Sequence, residues 1–394
     1  MRRIKQIFIL IVLVLVVLLT FNWGRISRLV AVVTLFDEDR IVANFSQMDA
    51  AFESAPLLTG NAQPLPEAPA PLPESFAFNG QDVPLQAWLE DSSYTGLVVL
   101  KDGAIAHESY ALGTGPDDVR ISWSVAKSFL SALFGILVDE GTIPDLNAPV
   151  TDFVPALVGS AYDGARIIDV LQMSSGVAFN EDYLDFWSDI NKMGRVLALG
   201  WSMDGFAAAL NGSAHAPGSA RQYTSIDTHV LGMVIRGATG RSVVDLMGEK
   251  LLAPIGLEGP AYYLTDGYGV AFVLGGLNMR TRDYARFGLL FANQGRLGAR
   301  QLVPAEWVAA STANTAPADA TGDPRGYGYQ WWLPPDAQPG EFFAIGIYGQ
   351  YIYIDQRRGV VIALNAADRN FRDESRDAMN RNIAMFRAIA AGLE

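Results

Sequence analysis

The rhythm of apolar and polar positions changes repeatedly along this chain. A strictly apolar run, Ile7 to Leu19, follows a basic start with Arg2, Arg3 and Lys5. From Arg25 to Ser54 the pattern is mixed and partly amphipathic. Gln63 to Pro73 is rich in proline, which predicts a stiff, extended spacer. Thr95 to Leu100 and Ala104 to Tyr110 are β-rich apolar runs around Asp102-Gly103, a pair suited to a tight hairpin turn. Ser124 to Glu140 has apolar residues three and four apart and ends at Gly141, which predicts a helix. The middle, about 145 to 310, reads as mostly helical with Gly/Pro loops. Tyr351 to Asp355 and Val360 to Asn365 are two further strands around an Arg-Arg-Gly turn, and a charged amphipathic helix is expected from about Arg372. Strands at both ends with helices between them predict an α+β fold. Its antiparallel sheet is built from N- and C-terminal strands flanked by helices, with a mostly helical inserted subdomain.

The N-terminal pattern is that of an export signal, basic and then apolar. The strict run is short of the roughly 20 residues of a spanning helix, but counting through Trp23 brings it close. No small-residue cleavage site closes it. The expected organisation is therefore a signal anchor or signal peptide over 1–23, a connector and proline-rich linker over 24–75, and one folded domain over 76–394. The catalytic part would be exported, periplasmic and anchored to the inner membrane.

Composition narrows the chemistry. Half of the 394 residues are hydrophobic and 18% are charged, which supplies a core and excludes global disorder. The net charge of −13 argues against a nucleic-acid partner, because phosphate binding needs clustered Lys and Arg. It also leaves the apolar N-terminus as the tie to any membrane. With no cysteine, thiolate catalysis and Cys-held metals are excluded, and with only His107, His215 and His229 a His-rich metal site is not expected.

What remains is Ser, Lys and Tyr. In Ser124-Val125-Ala126-Lys127 the hydroxyl and the amine are three apart, so one helical turn brings them together. A serine becomes a nucleophile when a base takes its proton, and a buried lysine has the lowered pKa such a base needs. Alone, the spacing is a common chance match; the apolar Ser128 to Phe134 behind it is what favours a buried lysine. The second motif is Arg221-Gln222-Tyr223-Thr224-Ser225, at the junction of a loop and an apolar helix. Beside a cationic lysine the Tyr223 phenolate would be stabilised as a general base. The third is Ala344 to Gln350, where glycines let backbone approach a ligand. There the N–H of Ile347 could join that of Ser124 as an oxyanion hole. No Gly-x-Ser-x-Gly elbow is present, and His229 reads as structural.

In this order the three motifs resemble the serine β-lactamase and penicillin-binding-protein superfamily, above all its class C-related branch. Leu171 to Gly176, Gly275-Gly276-Leu277 and Arg282 to Gly288 also resemble segments of that branch. Asn180-Glu181-Asp182-Tyr183 and Gly346 to Tyr351 look most like the aminohexanoate-dimer hydrolases and related esterases. The resemblance implies a β-lactamase/transpeptidase-like fold and acyl transfer through a covalent acyl-enzyme on a small-molecule amide or ester. Ser124 would be the nucleophile, Lys127 its activator and Tyr223 the proton shuttle, with no metal and no cofactor needed. Ser124 and Ile347 would form the oxyanion hole, and Tyr183, Ser225 and Gly346 would contact substrate. One departure matters: Ala344-Ile345-Gly346 stands where β-lactamases and D,D-peptidases carry a cation for the substrate carboxylate. That weighs against cell-wall peptides and β-lactams as substrates. A non-catalytic binding or sensor module on the same scaffold is the other alternative.

Overall fold

A computed structural model describes residues 2–393, except the side chains of residues 2, 15, 18 and 19. Its main sheet has seven antiparallel strands. Glu341–Gly346, Gln350–Asp355 and Val360–Ala366 form a meander whose last strand pairs with Tyr94–Lys101. Tyr94–Lys101 in turn pairs with Ala104–Tyr110 through the expected turn, where Asp102 and Gly103 both take positive φ. The α+β expectation is therefore met, with the sheet closed by strands from the two ends of the chain.

Alternation along these strands sorts side chains onto two faces. Val98, Leu100, Ile352, Ile354 and Val361 join the core under the helix Ala126–Asp139, whereas Leu97, Val99, Tyr351, Tyr353 and Ile362 pack under the C-terminal helix. That last helix begins at Ala378, later than its sequence pattern suggests, because Asp377 sits at φ 45°, a left-handed geometry that cannot continue a helix backwards. Between the sheet's two halves lies the inserted region. It includes the helices Asp189–Ala198, Met203–Ala208 and Ser225–Thr239, together with a four-stranded sheet that Ser54–Pro56 joins by pairing with Tyr262–Leu264.

The region expected as connector and linker packs closely. Leu35, Ile41, Phe45, Met48 and Phe52 are all buried in the core that holds the helix Ala126–Asp139. The proline-rich stretch runs beside Ala104–Tyr110, with Ala68 and Ala70 N–H donating to the Ile105 and Ala106 carbonyls. Upstream, Arg2–Phe21 forms one helix and Trp23–Val33 another. Among the described residues no helix is long and apolar enough to cross a membrane, so the expected membrane anchor finds no support there. Part of that expectation falls on Met1 and on the side chains of residues 15, 18 and 19, outside the described residues.

Candidate active site

Ser124 does not open the long helix as expected. It lies in a short turn of 3₁₀ helix, Trp123–Val125, that leads into Ala126–Asp139. Trp123 has φ 42°, a conformation costing about 1–3 kcal/mol for a residue with a side chain. Tyr348, next to Ile347, has φ 60°. Phe36 stacks on Tyr348 at 4.7 Å and lies 5.8 Å from Trp123, and Phe45 packs edge-on to both rings. Side chains from the N-terminal segment thus hold the two strained residues beside the site. The close approach of the meander needs Gly346, since a Cβ there would lie 3.0 Å from the Ser124 nitrogen.

The spacing of the first motif has the expected result. The buried Lys127 amine donates to Ser124 Oγ at 2.9 Å, to Ser225 Oγ at 3.3 Å and to the Leu274 carbonyl at 2.8 Å. Burial lowers its pKa to about 7, against the upward pull of Glu181 and Asp227. An amine of that pKa is substantially neutral near pH 7 and can accept a proton from serine. Tyr223 has its ring centroid 5.3 Å from the Lys127 nitrogen and its hydroxyl within hydrogen-bonding reach of Ser124 and Ser225. Burial, reinforced by the Glu181 charge, pushes its pKa well above the ordinary value. Burial and the Glu181 charge therefore favour the protonated phenol over the expected phenolate base.

The second motif is fixed from behind. Gln222 N–H donates to the Met173 carbonyl, Arg221 N–H donates to the Ala318 carbonyl, and the buried Arg221 pairs with Asp319 at 3.2 Å. Ser175 and Tyr162 donate to Asp227, inside the first turn of Ser225–Thr239. These contacts give the phrase Leu171 to Gly176 a structural role. Gly275 lines the cavity over Ser124.

Nothing in the sequence marks Glu181 as a site residue, although it lies within Asn180-Glu181-Asp182-Tyr183. The Glu181 carboxylate accepts the Ser225 N–H and interacts with Lys127 and the Tyr183 hydroxyl. Its other oxygen is shielded without a partner, and burial raises its pKa. Tyr183 also reaches Ser225, and Arg372 lies over its ring at 4.7 Å. The acidic residues nearby turn away: Asp182 and Asp185 accept the N–H groups of Leu184 and Trp187, and Asp189 pairs with Lys192. His229 is buried against Asp204, as its structural reading expects.

The structure thus gathers Ser124, Lys127, Tyr223, Ser225, Tyr183, Gly346 and Ile347 around one point. Ser124, Ser225, Tyr183 and Ile347 line a cavity of ≈ 480 Å³. Among the described residues no His/Asp/Glu cluster is suited to a metal ion.

The profile of the beta-lactamase family matches residues 93–386. A 6-aminohexanoate-dimer hydrolase of Paenarthrobacter ureafaciens is 32% identical over 294 residues, covering 71% of this chain and 74% of that one. A solved Bacillus anthracis structure, provisionally assigned to the same hydrolases, superposes with a TM-score of 0.81 at 24% identity, over 91% of this chain and 96% of its own. A family VIII carboxylesterase shares the fold at a TM-score of 0.56 and 17% identity, covering 78% and 95%.

Proposed function

The chain belongs to the beta-lactamase family and is a serine hydrolase; on that premise we propose that it cleaves a small amide or ester through an acyl-enzyme on Ser124. The observation that carries this reading is the buried Lys127 amine, its pKa lowered to about 7, 2.9 Å from the Ser124 hydroxyl. Neutral Lys127 takes the Ser124 proton as Oγ bonds to the substrate carbonyl carbon. The N–H groups of Ser124 and Ile347 meet the developing oxyanion. The C–N or C–O bond then breaks, and the leaving atom takes the Tyr223 proton, which Lys127 replaces. Neutral Lys127 then takes a proton from water as the water oxygen bonds to the acyl carbon; the C–Oγ bond breaks, Ser124 Oγ takes that proton back from Lys127, and a carboxylic acid is released. Tyr183, Ser225 and Gly346 shape the substrate's seat, and Glu181 positions Ser225 and tunes Lys127.

The absence of a cation at Ala344-Ile345-Gly346 favours amides and esters over β-lactams and cell-wall peptides. The names of the relatives point the same way. Purified protein is expected to hydrolyse a p-nitrophenyl ester or 6-aminohexanoate dimer and to be labelled at Ser124 by a fluorophosphonate. The reading fails if Ser124→Ala matches wild type on every substrate and no acyl adduct is found by mass spectrometry.

The N-terminal segment is proposed as the tie to a membrane, with the remainder exported. This rests on the basic-then-apolar sequence pattern and on the exposed apolar side chains of Arg2–Phe21. Recovery of the full chain in the soluble fraction without detergent would overturn it.

A further inference from the structure

We propose that the cavity beside Ser124 receives the unbranched apolar acyl chain of the substrate, which makes the substrates amides or esters of medium- to long-chain fatty acids. This rests on the hydrolase reading above and names the substrate class of the same site. The cavity begins at Ser124 and Ser225 and runs between two helices. Val32 and Val33 face it from the end of Trp23–Val33, and Met193 and Leu197 face it from Asp189–Ala198. Phe52 and Phe272 add to the walls.

Most of its polar lining away from Ser124 is engaged, the buried indole N–H of Trp123 excepted. Asn191 Nδ2 donates to the Tyr183 and Asp185 carbonyls at 3.0 and 2.8 Å. Arg195 Nη1 donates to the Phe186 carbonyl at 2.8 Å, with its guanidinium 4.2 Å over the Phe186 ring. The acidic residues of the same loop are turned to backbone N–H groups or to Lys192. A substrate with a cationic end would have to give up its water here without gaining a counter-ion, since the cavity wall carries Arg195 and no carboxylate. A methylene chain gains burial instead, worth roughly a factor of four per CH₂.

Direction follows from Tyr223, which is not part of the cavity wall and stacks on Trp332 instead. A leaving group protonated by Tyr223 faces away from the cavity, so the acyl chain faces into it. The mouth carries apolar side chains as well. Leu184 lines it and is 84% exposed, and Trp187, edge-on to the lining residue Phe186, is 70% exposed. The Trp23–Val33 helix that forms one wall also follows directly on the apolar helix Arg2–Phe21. An amphiphile would find this entrance by the same hydrophobic drive that fills the cavity.

The test uses the full chain in detergent, with p-nitrophenyl acetate, butyrate, hexanoate and octanoate below their critical micelle concentrations. The kcat/KM is expected to rise with acyl length, by about a hundredfold or more from acetate to octanoate. p-Nitrophenyl hexanoate should exceed p-nitrophenyl 6-aminohexanoate, equal in chain length but charged at its end, by about tenfold or more. Met193→Trp, which fills the cavity, should lower the octanoate-to-acetate ratio by about tenfold, and Leu197→Phe should lower it less. Thermal melting of both variants checks that they fold. If esters are cleaved but kcat/KM is flat or falls with length, or if the charged ester is equal or better, the acyl-chain inference is overturned while the hydrolase reading stands. If alkyl acetates gain with alcohol length instead, the chain lies on the leaving-group side and the inference is likewise overturned. If no ester is cleaved and Ser124 is not labelled, the hydrolase reading itself fails.

Discussion

The two ends of the active-site cavity are built on opposite principles. At the catalytic end, a few polar groups from short motifs are crowded where water is excluded. Lys127 has three hydrogen-bond acceptors there and a pKa lowered to about 7. At the far end, Val32, Phe52, Met193 and Phe272 come from distant parts of the chain and present almost no free polar group. The first end depends on exact placement of charge, so one atom changed there should be costly. The second depends on apolar area, which several residues share, so single changes should be graded. The difference separates chemistry from selection: one end decides whether an acyl group is transferred, the other which acyl group is.

The largest test of that contrast is Ser124→Ala, expected to cut kcat by about 10⁴-fold or more in ester hydrolysis while melting with wild type. A loss of less than tenfold would place the nucleophile elsewhere. Next is Tyr223→Phe, which keeps the ring packed on Trp332 and removes the proton donor. Its kcat should fall by about 10²–10⁴-fold, more for amides than for activated esters, whose leaving groups need no proton. Equal losses on the two substrate types would argue against proton donation.

The N-terminal segment supplies the third test. Five side chains between Leu35 and Phe52 are buried in the core, each worth roughly 1.5–3 kcal/mol. Their sum is comparable to the roughly 5–15 kcal/mol net stability of a whole domain. A chain starting at residue 70 should therefore unfold at much lower denaturant than one starting at 23, which equal midpoints would contradict. Within that segment, Phe36→Ala should cost about 1–3 kcal/mol in urea unfolding and lower kcat through the slackened Trp123 and Tyr348.

The smallest and most specific effect is on pH dependence. The neutral amine is the active form, so kcat/KM should rise with pH through about 7, the value to which burial lowers Lys127. Because Lys127 and Glu181 interact, that midpoint belongs to the pair. Glu181 favours the charged amine, so Glu181→Gln should move the rising limb to lower pH with only a severalfold change in the plateau. A shift to higher pH would reverse the assigned sign.

Much of the site was legible because its chemistry is local. Ser124 and Lys127 are three residues apart, and helical geometry alone brings them together. Tyr223 and Ser225 share one loop-to-helix junction, and the Asp102-Gly103 turn and the two C-terminal strands follow from residue type and alternation. Glu181 was not legible as a partner of Lys127, since nothing in Asn180 to Tyr183 indicates that its carboxyl turns inward to the Ser225 N–H. The preference of Tyr223 for the protonated phenol is illegible for a related reason: the desolvation and the Glu181 charge that raise its pKa exist only once the ring is buried.

By itself, then, the sequence determined which residues make up the candidate reaction centre, because a hydroxyl and an amine within one turn need only short-range geometry, and it determined the α+β order, because periodicity is written residue by residue. Only the tertiary structure decided that residues 35–57 belong to the core, that Phe36 and Phe45 brace the strained backbone at Trp123 and Tyr348, and that the cavity walls are apolar. Those features come from contacts between segments tens to hundreds of residues apart, and hydrophobic contact is non-directional, so no local pattern specifies which apolar side chains will meet.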